Sequence, residues 1–203
     1  MSEPTLEDRF HLIGIGGAGM SVVAELLASR GATVEGSDRE DSAVLEHLRS
    51  VGVRVFVGHE ASHVDPASVV VVSTAIREDN PELAIARTRG QRVIHRSQAL
   101  ALAASGMRFV GVAGAHGKTS TSGMLAIALA ACGLDPSVAV GGVLPQLGTG
   151  AHLGAGDVFV AEADESDGSF LNYSPAIEIV TNVEPDHLDR YHSREEFEQI
   201  FVE

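Results

Sequence analysis

Along the first hundred residues, short apolar runs rich in β-branched side chains alternate with segments whose apolar positions recur at helical spacing. The runs predict strands at residues 10–15, 33–35, 53–57, 69–73 and 92–95. The segments between them predict helices at 18–29, 42–50, 81–89 and 97–104. Val69-Val70-Val71-Val72 shows no polar alternation, as expected of a strand covered on both faces. Strands alternating with helices build a parallel sheet with helices on both sides. The pattern breaks at Ser105-Gly106 and resumes at Met107, with strands predicted near 109–113, 137–140, 157–162 and 177–181 and a helix from Ser122 to Ala131. Ser193 followed by Phe197, Ile200 and Phe201 predicts a capped amphipathic helix that ends without a Gly, Asn or Pro stop signal. The second domain is therefore expected to be cut short.

Two of the strand-to-helix junctions are glycine turns. Phe109 to Ala113 leads into Gly114-Ala115-His116-Gly117-Lys118-Thr119-Ser120 and then into the predicted helix. Such a junction cradles phosphate, because backbone N–H groups at the helix start meet the anion. Lys118 is placed to neutralise terminal phosphates, and the Thr119 hydroxyl to hold Mg²⁺. The strict P-loop pattern needs glycine where this chain has Val112, so the front of the loop is altered. The earlier junction, Gly14-Ile15-Gly16-Gly17-Ala18-Gly19, fits G-x-G-x-x-G, with Asp38 near the end of the next strand. That arrangement suits NAD, with Asp38 on a ribose, but the turn accepts any pyrophosphate; glycines that merely allow close helix packing are the plainer alternative. The fold class is therefore α/β: a Rossmann-like parallel-sheet domain over residues 1–105, then an incomplete P-loop-type α/β domain over 106–203.

Two further strand ends carry acids and a histidine. Val158 to Ala161 delivers Glu162, well placed for Mg²⁺ beside a triphosphate. Asp164, Glu165 and Asp167 in the following loop are better read as solvated acids. Ile179-Val180-Thr181 delivers Asn182, Asp186, His187 and Asp189 to one edge, where His187 can ligate a second metal or touch substrate. His47, His63, His152 and His192 are read as surface or packed residues.

A net charge of −14, from 28 acidic and 14 basic residues, argues against a nucleic-acid or anionic-membrane surface. The single cysteine, Cys132, rules out an intrachain disulfide and is expected in the core or at a helix end. The polar N-terminus does not read as a signal peptide, and no apolar run approaches the ~20 residues of a membrane span. A cytoplasmic protein is the expectation; oligomeric state is not encoded in any pattern.

With these residues together, the chain resembles the Mur ligases. The resemblance rests on Ala113-Gly114-Ala115-His116-Gly117-Lys118-Thr119, with Ala115 departing from the family's threonine. It rests also on Glu162 to Asp167, on Thr181 to Asp189, on Gly14 to Ser21, on Ser73 to Ile76 and on Asn80-Pro81-Glu82. The resemblance implies ATP-dependent ligation of L-alanine to the lactyl carboxylate of UDP-N-acetylmuramate through an acyl phosphate, in peptidoglycan precursor synthesis. A tripeptide-recycling member of the family, a non-catalytic nucleotide-binding module and an NAD oxidoreductase are the alternatives. It implies ATP contacts from Gly114, Ala115, His116, Gly117, Lys118, Thr119 and Ser120, and Mg²⁺ ligation by Thr119, Glu162 and His187. His116 and Lys118 would act on the migrating phosphoryl group. UDP-sugar contacts would come from Gly14, Gly16, Gly17, Ala18, Gly19, Met20, Asp38, His59, Ser73, Thr74, Asn80 and Arg96. The family's third domain, which positions the amino acid, has no counterpart here, so the chain by itself is expected to bind the sugar nucleotide but not to ligate.

Overall fold

In the computed structural model, which describes residues 3–163, 169–184 and 193, the alternation of strand and helix runs through both parts of the chain. The chain divides into two compact units, Met1–Ser105 and Gly106–Glu203.

The first unit runs β1 (Arg9–Ile13), α1 (Ala18–Ser29), β2 (Thr33–Asp38), α2 (Ala43–Ser50) and β3 (Arg54–Val57), then β4 (Val69–Val72), α3 (Pro81–Thr88), β5 (Val93–His95) and α4 (Arg96–Ala103). A 3-10 turn at Ala61–His63 precedes β4. All strands are parallel in the order β3-β2-β1-β4-β5, so the winding direction reverses between β1 and β4. Side chains alternate across the sheet. Phe10 and Leu12 of β1 point one way and His11 and Ile13 the other, and all four are fully buried. Ile13 packs with Val70, Leu83 and Ala86, which closes α3 onto that face. Each such buried aliphatic side chain contributes about 1.5–3 kcal/mol. Ser42 caps α2 by accepting from Leu45 N, and Asn80 caps α3 by accepting from Glu82 N and Leu83 N, with Pro81 at the first helical position.

The second unit runs β6 (Arg108–Ala113), α5 (Lys118–Ala131), β7 (Ser137–Leu144), β8 (Thr149–His152), β9 (Val158–Glu162) and β10 (Ile177–Val180). The sheet order is β10-β6-β9-β7-β8, parallel except for the β7–β8 hairpin. Three sequence expectations are corrected here. Helix α5 starts at Lys118, not Ser122, because Gly117 at φ 82° makes a left-handed N-cap directly before it. The strand expected at 137–140 runs on to Leu144. It then folds back as β8, which the pattern did not predict. Thr149-Gly150-Ala151-His152 has little strand character, and what makes it a strand is close backbone approach: a Cβ on Gly150 would lie 2.5 Å from Val140 O. Cys132 sits at the end of α5 and is exposed, so it is a helix-end residue and not a core one. The helix expected after Ser193 lies outside the described residues.

Candidate functional site

In the first unit the residues expected at a sugar nucleotide lie at the carboxyl ends of the parallel strands. The turn Gly14–Gly17 follows β1, Asp38 ends β2, His59 follows β3, Ser73, Thr74 and Asn80 follow β4, and Arg96 follows β5. In an open α/β sheet this edge, at the point where the winding reverses, is where ligands bind. The turn is tightly supported. Gly14 N and Ile15 N donate to Ser37 O, and Gly16 N donates to Asp38 Oδ2 at 2.8 Å. Asp38 Oδ1 accepts from Arg39 N at 2.7 Å, so both carboxylate oxygens are engaged by backbone. The N–H groups of Ala18, Gly19 and Met20 occupy the first turn of α1, where a helix offers no partner of its own. Met20 is 3 % exposed, so only its backbone could be offered to a ligand. A Cβ on Gly19 would lie 2.5 Å from Arg96 Nη1, so the missing side chain lets a guanidinium lie over the helix start. The Asn80 carboxamide oxygen caps α3, which leaves its NH₂ as the group a ligand could use.

Behind this edge lies a buried charged cluster that no sequence motif announced. Glu82, in the first turn of α3, is fully buried. Its carboxylate accepts from Ser37 Oγ at 2.5 Å, His63 Nδ1 at 3.2 Å, Glu60 N at 3.2 Å and His11 Nε2 at 3.3 Å. His59 Nδ1 stands 3.5 Å from it and 2.8 Å from Ser37 Oγ. On its far side His11 faces Glu35 at 3.6 Å, and Arg9 and Arg54 approach that second buried carboxylate at 3.8 Å each. Burial alone would lower the His11 pKa, but hydrogen bonds and charge from Glu35 and Glu82 outweigh it and hold the ring above its usual value. Burial would likewise raise Glu82, but the hydrogen bonds from His11 and Ser37 bring it below the usual carboxylate range. His63 stacks on Phe56 with ring centroids 4.4 Å apart, and the Arg54 guanidinium lies 4.7 Å from the Phe56 centroid. The sequence signals are polar residues set within strands, His11 in β1 and Glu35 and Ser37 in β2.

In the second unit the loop between β6 and α5 is pinned by the end of β10. The His116 carbonyl accepts from Thr181 Oγ1 at 2.6 Å and from Asn182 Nδ2 at 2.8 Å, and His116 N donates to Asn182 Oδ1 at 3.2 Å. Gly114, at φ 123°, fits against this latch, since a Cβ there would meet Thr181 Oγ1 at 2.3 Å. Lys118 Nζ donates across the loop to Gly114 O at 2.7 Å. Lys118, Thr119 and Ser120 form the first turn of α5, where N–H groups point out of the helix start. Glu162, at the end of β9, accepts from Gly141 N at 2.8 Å. A Cβ on the adjacent Gly142 would touch Thr119 Cγ2 at 3.1 Å. Thr119 and Glu162 therefore approach the same Gly141-Gly142 step. The Thr119 hydroxyl and the Glu162 carboxylate are hard oxygen donors of the kind that would hold Mg²⁺ and so offset phosphate charge there. His187, Asp186 and Asp189, together with Asp164, Glu165 and Asp167, lie outside the described residues. Among the described residues no helix is long and apolar enough to cross a membrane.

Two family models match almost end to end: "Mur ligase family, catalytic domain" over residues 9–108 and "Mur ligase middle domain" over residues 112–203. A UDP-N-acetylmuramate–L-alanine ligase of Renibacterium salmoninarum is 56% identical over 193 residues, which are 95% of this chain and 42% of that protein. The ligase of the same name from a Nocardioides species is 53% identical, over 96% of this chain and 44% of its own length. The chain thus spans about two fifths of the curated relatives it matches. Among solved structures, the UDP-N-acetylmuramate–alanine ligase of Thermotoga maritima superposes with a TM-score of 0.86 at 33% identity, covering 96% of this chain and 46% of that one. A UDP-N-acetylmuramate:L-alanyl-gamma-D-glutamyl-meso-diaminopimelate ligase from Neisseria meningitides gives 0.87 at 29% identity, covering 96% and 66%. With a phosphate-type turn after a parallel strand in each of its two sheets and both domain models in series, the chain belongs to the Mur ligase family.

Proposed function

We propose that this chain is the sugar-nucleotide-binding and ATP-binding part of a cytoplasmic ligase that joins L-alanine to UDP-N-acetylmuramate. The observation that carries the reading is the second glycine loop. There Lys118, the Asn182 latch, and the Thr119–Glu162 pair all converge on the start of α5. A carboxylate does not condense with an amine at neutral pH, because its oxygen is a poor leaving group. Transfer of the γ-phosphoryl group from ATP to the lactyl carboxylate makes an acyl phosphate; the amine of L-alanine then attacks the carbonyl carbon and inorganic phosphate departs. Phosphoryl transfer asks the protein mainly for positioning and charge neutralisation. Lys118 supplies positive charge at the transferring group, and the N–H groups at the start of α5 hold the phosphate oxygens. His116 stands in the loop beside them, its peptide fixed on both sides by Asn182. Mg²⁺, held by Thr119 and Glu162 and, beyond the described residues, His187, would offset phosphate charge.

In the first unit, the N–H groups of Ala18, Gly19 and Met20 together with Arg96 suit the diphosphate of UDP. His59, Ser73, Thr74 and Asn80 line the same edge for the nucleoside and sugar, and Asp38 holds the turn from beneath. The fold does not separate the L-alanine ligase from the tripeptide ligase, since both solved structures superpose equally well. Identity favours the L-alanine enzyme, at 50–56% among the curated relatives against 29% for the tripeptide ligase structure. The test is calorimetry of this chain with UDP-N-acetylmuramate. It is joined by phosphate release from a protein of the relatives' length, offered L-alanine or the tripeptide as amine. Binding of the sugar nucleotide and turnover with L-alanine are expected. Turnover with the tripeptide alone, or no binding, would reject the reading.

A further inference from the structure

The buried carboxylate of Glu82 can be read proton by proton. Five groups point at or beside it, from four separate segments: His11 on β1, Ser37 on β2, His59 and Glu60 N after β3, and His63 in the 3-10 turn. An ionised carboxylate only accepts. Ser37 has a single hydroxyl proton, and at 2.5 Å from Glu82 Oε2 that proton goes to the carboxylate. The Ser37 oxygen is then left to accept from its other neighbour, His59 Nδ1 at 2.8 Å. His59 Nδ1 must therefore bear the N–H, and it points into the same acceptor field, 3.5 Å from Glu82. A neutral imidazole has one N–H and one lone pair, so the lone pair falls on Nε2. That nitrogen makes no hydrogen bond among the described residues and reaches solvent at the ligand edge of the sheet.

We propose that Glu82 is a positioning residue for the sugar-nucleotide site: by taking the Ser37 proton it holds neutral His59 in its Nδ1–H form and presents Nε2 as an acceptor for an N–H or O–H of the ligand. In water the other tautomer is the commoner one, so the protein has to impose this form. The position demands a carboxylate. Glutamine would bring an NH₂ into a space already filled with donors. Its amide would donate to Ser37, the Ser37 proton would turn to His59, and the ring would switch to Nε2–H. Groups that recognise a ligand oxygen or imide by acceptance discriminate strongly, because the unmatched ligand leaves a buried donor or acceptor unpaired. The charge on Glu82 is itself secured. His11 lies against it from β1, and the start of α3 favours a negative charge.

This inference rests on the reading of the first unit as a UDP-sugar site, and its test separates the two. Nitrogen-15 and proton correlation spectra of the 203-residue chain, labelled at histidine and recorded at alkaline pH, report the tautomer of each neutral ring. The His59 signal is assigned by its loss in His59→Asn. The wild type should show His59 protonated on Nδ1; an Nε2–H signal there overturns the proposal. Glu82→Gln should move His59 toward Nε2–H and weaken UDP-N-acetylmuramate binding by about fivefold, the worth of one neutral hydrogen bond. Ser37→Ala, which removes the bridging hydroxyl and leaves the carboxylate, serves if Glu82→Gln does not fold. It should give a mixture of tautomers and a smaller loss of affinity. Wild-type tautomer and affinity in these variants overturn the proposal. An Nδ1–H signal in a wild type that does not bind the sugar nucleotide overturns the functional reading and leaves the Glu82–Ser37–His59 chain standing.

Discussion

The two units open on the same device, a parallel strand leading through glycines into a helix, yet the turns are held in opposite ways. The first is braced by a carboxylate: Asp38 sits under Gly16 N, and a guanidinium comes from outside, laid across Gly19 by α4. The second is braced by neutral groups, Thr181 and Asn182 on the His116 peptide, and carries its cation within the loop itself, with Lys118 on Gly114 O. A fixed negative charge beneath a turn disfavours a highly charged anion, while a lysine inside it favours one. The difference is the one expected if the first unit takes a diphosphate ester and the second a triphosphate, as proposed.

The most severe way to break the comparison is Lys118→Ala. It removes the charge that distinguishes the second turn, and ATP-dependent phosphate release in a protein of the relatives' length should fall by about 100-fold or more. Sugar-nucleotide binding, measured by calorimetry, should not change; if it does, the two turns do not act separately. Glycine substitutions come next. Gly114→Ala puts a Cβ into Thr181 Oγ1 and into Asn182 backbone, 2.8 Å away, at φ 123°, and should destabilise the second unit by about 2–4 kcal/mol in urea unfolding. Gly19→Ala meets only the tip of a flexible arginine. It should leave the unfolding free energy within about 0.5 kcal/mol of wild type and weaken UDP binding by moving Arg96.

A third prediction concerns pH. His11 is raised above its ordinary 6.5, so its contribution to stability is whole below 6.5 and is lost as pH rises through the raised value. Glu82 is lowered below its ordinary 4.5, so its contribution is whole above 4.5 and is lost as pH falls through the lowered value. The first unit should therefore be most stable between these limits and weaken on both sides, followed by unfolding at a series of pH values. The described part of the second unit buries no histidine and should not show the alkaline loss. A modest effect, confined to the second unit, is expected from Asn182→Ala. It takes two hydrogen bonds from the His116 peptide at a half-exposed site and should cost about 1 kcal/mol of stability in the second unit.

What the sequence made legible follows the distance along the chain between interacting residues. Strands and helices of the first unit were readable because their apolar spacing is local, and α1 over 18–29 and the start of α3 at Pro81 fall where the pattern put them. The phosphate-type turns were readable because strand, glycines and helix are consecutive. Strand β8 was not, since it exists by fitting glycine backbone under β7 and not by its own propensity. The latch on His116 joins residues 65 and 66 apart, and the Glu82 cluster joins residues 19 to 71 apart. Neither has a local spacing to detect. Pro81 and Glu82 open a predicted helix, and they do open α3, but nothing in these residues tells that the glutamate turns inward.

The Glu82 cluster also bears on how the first unit avoids folding wrongly. His11 lies directly opposite Glu35 across the β1–β2 pair, and Ile13 opposite Ser37. Sliding one strand by a single residue would turn these side chains to the other face of the sheet and strand Glu82 in apolar surroundings without its donors. An unpaired buried charge costs several kcal/mol, comparable to the whole margin of a small domain. A purely aliphatic sheet would tolerate the slip far better, because one valine replaces another at little loss. The five groups around one carboxylate thus act as a proofreading mark for strand register. It is complete only when β1, β2, the segment after β3 and α3 are all in register with one another.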